Sequence, residues 1–132
     1  MTAKVQLAIP NTRALPVLFT PTPHAAKRFV TFFTANIRNP NTRKAYTWAV
    51  AEFAAWCERH GLLSLPAIEP VHVATYVESL KGHLSPPSIK QHLAAIRMLF
   101  DWLVVGQVLP SNPASSVRGP KYSTKKGKTP VL

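Results

Sequence analysis

Two short polar runs stand out from an otherwise apolar-patterned sequence. Asn41, Thr42, Arg43 and Lys44 stand together in the first, and Ser88, Lys90 and Gln91 in the second, with Arg97 further along the same segment. The chemistry open to them is recognition, not bond-making. A helix start offers unpaired backbone N–H groups to a phosphate, and neighbouring cations reinforce the attraction. Glutamine can pair with adenine in the major groove of a duplex, whereas lysine and arginine suit guanine or phosphate. A plain solvated helix face carries the same residue types, so the runs by themselves leave both readings open.

Covalent chemistry finds no such grouping. His24, His60, His72, His83 and His92 show no metal-ligand spacing with one another, with Cys57 or with the acids. Glu52 and Glu58 come nearest to a pair, but helical geometry turns them to opposite sides. The glycines are isolated stops and not a phosphate-cradling loop. No serine, cysteine or tyrosine has an adjacent base and an orienting partner. The expectation is a chain with no catalytic centre, no metal and no cofactor.

Charge favours recognition over a solvated face. Sixteen Lys and Arg against five Asp and Glu give a formal net charge of +11, which attracts polyanions at a distance. All five acids (Glu52, Glu58, Glu69, Glu78 and Asp101) lie in the middle of the chain. The first 51 residues carry Lys4, Arg13, Lys27, Arg28, Arg38, Arg43 and Lys44 without an acid, and the end adds Arg118, Lys121, Lys125, Lys126 and Lys128. A single cysteine cannot build a disulfide framework, so Cys57 reads as a buried small hydrophobe in a reducing cytoplasm. No secretory signal or membrane span is legible.

The segments around the two runs read as helices. Residues 1–22, with Pro10, Pro16 and Pro21, have no helical period and predict an extended arm. A first helix is expected from about Pro23 to Ile37, burying Ala26, Phe29, Val30, Phe33 and Ile37, with Phe32 off that face as an exposed aromatic. Asn39-Pro40-Asn41-Thr42 starts a second helix with the stripe Tyr46, Ala49, Val50, Phe53, Trp56 and Cys57, stopped at Gly61. Pro70 starts a third, facing inward with Val73, Ala74, Val77 and Leu80 and ending near Gly82. Ser85 caps a fourth, whose stripe is Ile89, Leu93, Ile96, Phe100 and Leu103, stopping at Gly106. One more helical turn is expected over Ala114 to Val117, followed by a basic stretch of linker composition. The fold class is therefore all-α, a compact bundle of four to five helices over 23–117, with an arm before it and a linker over 118–132.

Asn41-Thr42-Arg43-Lys44-Ala45-Tyr46 with Phe53-Ala54-Ala55-Trp56-Cys57 resembles the second helix of the core-binding (SAM-like) domain of tyrosine recombinases, the phage integrases. The stretch from Leu84 to Arg97 resembles that family's fourth helix, and Asn112-Pro113-Ala114 and Gly119-Pro120-Lys121 follow in the family's order. The similarity covers about residues 24–132 and extends to recombinases of the Cre type, which share the Ala-Ala-Trp-Cys and Gln-His-Leu strings. The resemblance implies a domain that clamps duplex DNA from one side, with other protomers as partners and a catalytic domain beyond Leu132. It implies DNA contacts from Asn41, Thr42, Arg43, Lys44, Ser88, Lys90 and Gln91, with Gln91 at a base-reading position. It also implies that Arg118, Lys121, Lys125 and Lys126 follow the backbone. Pro87 replaces a lysine of the Cre pattern, which removes one backbone contact. The family's use of its first helix between protomers would give Phe32 a role. Against this stand a protein–protein module of SAM-like fold and a basic nucleic-acid binder without sequence preference; base readout by Gln91 would separate the latter.

Overall fold

The computed structural model describes residues 15–120, and the expected contacts of Lys121, Lys125 and Lys126 fall outside that range. Four helices carry the fold: α1 (Pro23–Thr31), α2 (Pro40–Arg59), α3 (Pro70–Leu80) and α4 (Pro86–Val105). The described residues contain no strand, and the domain is all-α, as its periodicities predict.

Each helix opens on a proline, where the missing N–H costs nothing and the fixed φ already suits a helix. Caps stand just before three of them. Thr22 accepts from the Ala25 N–H, Asn39 from Asn41 and Thr42, and Ser85 from Ser88. The end of α2 is a Schellman turn: Gly61 takes φ +76°, and the Leu62 N–H reaches back 2.9 Å to the Cys57 carbonyl.

α4 stops at Gly106, as expected, but the left-handed position is the next residue, Gln107, with φ +63°. Gly106 has an ordinary φ of −82°. It is small for another reason: a Cβ there would strike the Arg28 guanidinium. Arg28 lies 3.7 Å over the Trp102 ring and donates from Nε to the Trp102 carbonyl at 2.8 Å. The Trp102 indole N–H donates in return to the Arg28 carbonyl at 2.8 Å. This reciprocal clasp ties α1 to the last turn of α4.

α4 is the central helix and packs most extensively on α2. Besides its expected stripe it buries His92, Ala95 and Leu99, so it is enclosed on more than one side. In α3 the inward position expected for Ala74 belongs to Tyr76, and Ala74 is exposed. Tyr76 fits because its ring meets Phe53 and Trp56 edge-on, with centroids 5.1 and 5.5 Å away.

The first helix departs most from its predicted form. It ends at Thr31 and continues as a π-helical turn, Phe32–Asn36. Phe32, expected to be exposed, is 0% accessible, and adjacent Phe33 is buried too. In an α-helix two successive side chains diverge by about 100°. The wider π turn resets that phase and sends both rings inward, perpendicular to one another with centroids 4.9 Å apart. The inner face of α1 is accordingly Ala25 and Phe29, with Ala26 and Val30 only half-buried.

The core also begins earlier than the expected boundary at residue 23. A 3-10 turn, Val17–Phe19, buries Leu18 and Phe19. Phe19 stacks on Phe29 at 5.1 Å and meets Phe100 at 6.0 Å. At the other end Ala114 and Val117 are buried in a hydrogen-bonded turn.

Candidate nucleic-acid interface

The two polar runs fold as the first turns of α2 and α4, but their backbone N–H groups are already occupied. In α2, Pro40 has no N–H. Those of Asn41 and Thr42 go to Asn39 Oδ1 at 2.8 and 3.1 Å, and that of Arg43 to the Asn39 carbonyl at 2.9 Å. In α4, Pro86 and Pro87 contribute no N–H, Ser88 donates to Ser85 Oγ, and Ile89 to the Ser85 carbonyl. The expectation of free N–H groups for a phosphate is therefore corrected: prolines and caps use them all. An anion at these ends must be held by side chains and by the helix dipole.

The side chains divide into committed and free. Arg43 donates from Nε to the Phe33 carbonyl and from Nη2 to that of Ile37, both at 2.7 Å. It thereby caps the π turn, whose widened geometry leaves carbonyls without partners. Arg97 donates from Nε to the Ala114 carbonyl at 3.2 Å and from Nη2 to that of Val117. Asn112 answers with its amide to the Arg97 carbonyl at 3.1 Å and to Asp101 Oδ1 at 2.7 Å. Both guanidiniums thus hold the chain's own backbone.

Lys44, Lys90, Gln91 and Asn41 are exposed, while Thr42 and Ser88 are half-buried, the latter beside the Ser85 hydroxyl at 3.1 Å. Arg118 is exposed, and the chain next to it runs back along α4. A methyl group at Gly119 would lie 3.6 Å from Lys90 Cγ and 3.5 Å from Leu93 Cδ2. The basic exit segment and the start of α4 therefore share one surface.

A seam of rings joins the two helices behind these side chains. Trp48 of α2 meets His92 of α4 perpendicularly, with centroids 4.9 Å apart. Along the axes, at about 1.5 Å per residue, Asn41 lies about 10 Å before Trp48, and Ser88 about 6 Å before His92. The two polar runs therefore stand before one seam, on helices that pack against each other. Charge falls away beyond the seam, where exposed Glu52 and Asp101 stand on the same two helices. Sequence reasoning passed over Trp48, which is 52% exposed, and placed the exposed aromatic at Phe32. The available signal was a tryptophan off the apolar stripe, one turn after Lys44.

His92 is 2% exposed. Its Nδ1 lies 3.3 Å from the Tyr76 hydroxyl, and its Nε2 has no hydrogen-bond partner. The tautomer in which Tyr76 donates to Nδ1 leaves the proton on Nε2. Burial holds the His92 pKa below its ordinary value, against a smaller upward pull from Glu52. Burial likewise raises the Tyr76 hydroxyl and pushes the Cys57 thiol up to about 12.

The lowered pKa of His92 couples its protonation to unfolding. The folded state keeps the ring neutral while the unfolded chain protonates first, so its contribution is complete above the ordinary histidine value of about 6.5 and is lost as pH falls below it. In urea unfolding, stability should drop between pH 7 and 5, and the drop should be smaller in His92→Gln. An equal drop in both proteins would remove His92 as its source.

Comparison with known proteins supplies the context. Residues 25–108 match the family described as phage integrase, N-terminal SAM-like domain. A homologue of the integrase/recombinase XerD from Selenomonas ruminantium is 29% identical over 101 residues, covering 70% of this chain and 29% of the relative. The tyrosine recombinase XerC of Salmonella typhi is 33% identical over 84 residues, covering 63% of this chain and 28% of the relative. The chain spans less than a third of the length of either. No solved structure matches it at comparable significance. Among the described residues no helix is long and apolar enough to cross a membrane. With the matched residues taking in α2, α3 and α4 whole and nearly all of α1, the chain belongs to the family of phage integrase N-terminal, SAM-like domains.

Proposed function

We propose that this chain is the DNA-binding core-binding domain of a site-specific tyrosine recombinase or integrase, clamping duplex DNA beside the recombination site. The observation that carries the reading is an arrangement working against stability. α2 and α4 have no acid in their first turns and instead carry Lys44 and Lys90 just beyond them, towards the positive helix ends. The helix dipole disfavours cations on that side, at a small cost that fades past the first turn. An external polyanion offsets that cost, and the prolines and caps leave the same ends to side-chain recognition.

Lys44 and Lys90 bind phosphate, Asn41, Thr42 and Ser88 complete the polar surface, and Gln91 reads a base. Arg43 and Arg97 hold the surface in shape. Arg118, with Lys121, Lys125 and Lys126, continues along the backbone as a linker from a domain ending near residue 117. Strand cleavage and joining belong to a catalytic domain of the parent protein, with further protomers assembling on the same DNA in the bacterial cytoplasm.

The test separates positioning from reading. A preferred duplex is first selected from a random pool with the full chain. Gln91→Ala should then lose about 1–3 kcal/mol of discrimination at one base pair and bind random duplex unchanged. Lys44→Ala should weaken binding to every duplex alike. A uniform loss in Gln91→Ala would remove its reading role.

A further inference from the structure

We propose that Trp48 is an apolar reading side chain of this surface, its indole taking the C5-methyl groups of thymine in the major groove. The inference rests on the DNA-binding reading above. Trp48 is a large aromatic left 52% exposed, whereas Trp56, Phe19, Phe32, Phe53 and Phe100 are all at or below 6% and Tyr46 and Trp102 are half-buried. It follows Lys44 by one turn, on the same side of α2. Across the seam it stands against His92, the residue after Gln91, which brings it beside the first two turns of α4.

The indole is also held in place. His92 is buried and lies 3.3 Å from the Tyr76 hydroxyl, and the Trp48 ring packs perpendicular to it with centroids 4.9 Å apart. A ring seated this way is not free to extend as a wedge between base pairs. It presents a flat apolar patch of about 100 Å², half the area of a tryptophan side chain. In a duplex approached from the major groove, the apolar group that such a patch meets is the thymine methyl. Lys44 stands one turn before the indole and Glu52 one turn after it, so the cationic side of the patch lies towards the start of α2.

The probe is a pair of duplexes, alternating dA-dT and alternating dA-dU, which differ only in that methyl. The full chain should bind the dA-dT duplex about fourfold more tightly, the fold-change for burying one methyl-sized group. Trp48→Ala should bind both equally, and Trp48→Phe should keep part of the preference. Acrylamide quenching of the exposed indole should fall on adding dA-dT duplex, and this change should be absent in Trp48→Phe, which keeps His92 covered. Equal binding of both duplexes by the full chain overturns the role of Trp48 while leaving the DNA-binding reading intact. No duplex binding at low salt overturns both. Protection of the indole by rising protein concentration alone would make this face a contact between copies, and stronger protection by single strand would make it a stacking platform; either result overturns the proposal.

Discussion

Phe32→Ala should lower the unfolding free energy by about 3–5 kcal/mol, the range for truncating a fully buried aromatic side chain. Phe32 is enclosed by Phe33 at 4.9 Å and by Trp102 at 6.3 Å. Removing it leaves a cavity where the π turn meets the end of α4, beside the Arg28–Trp102 clasp. A domain of this size is stable by only about 5–15 kcal/mol, so the variant would sit near the edge of folding at 37 °C. Urea denaturation followed by circular dichroism measures the loss directly. A change under about 1 kcal/mol would mean that the ring is exposed, as α-helical periodicity predicts, and that the π turn is wrong.

Arg97→Ala should cost about 2–4 kcal/mol, because two backbone carbonyls lose charged donors that they accept in a partly buried site. The effect reaches beyond stability. Arg97 and Asn112 together pin the turn that buries Ala114 and Val117 and set where Arg118 leaves the domain. Limited proteolysis should therefore cut the variant between residues 110 and 120 sooner than the wild type. DNA affinity should fall through loss of the ordered exit segment, while the salt dependence of binding by the folded fraction keeps its slope. A reduced slope with unchanged stability would instead make Arg97 a phosphate ligand.

Helix starts were legible because prolines stand at four of them and because Thr22, Asn39 and Ser85 carry the right oxygen one residue earlier. The stripe of α4 was legible because a central helix shows a strong apolar period whatever packs on it. The π turn was not, since one widened turn shifts phase without changing composition, and it carried Phe32 inward with it. Ala74 and Tyr76 exchanged places for a related reason: the small and large candidates on α3 are sorted by the aromatic neighbours they meet, which lie on α2.

The candidate site was half legible. The clusters at 41–44 and 88–91 announce themselves by type, and Lys44, Lys90 and Gln91 are indeed exposed. Arg43 and Arg97 look identical to them in a sequence. Only the fold shows that nearby carbonyls, freed by the π turn and by the 113–116 turn, claim their guanidiniums. The occupied N–H groups were readable in principle, because Pro40, Pro86 and Pro87 remove donors and Asn39 and Ser85 answer others.

We propose that the starts of α2 and α4 form one duplex-binding surface through side-chain cations. The salt dependence of binding to a random duplex, with Lys44→Ala, Lys90→Ala and the double variant measured alongside, probes that surface. Wild-type affinity should fall steeply with salt, and each lysine removed should lower the slope of log K against log salt by about 0.9, the double variant by about twice that. Single strand of equal length should bind more weakly. A slope unchanged by both substitutions, or binding indifferent to salt, would contradict the account and leave the helical domain without a DNA face at these two turns.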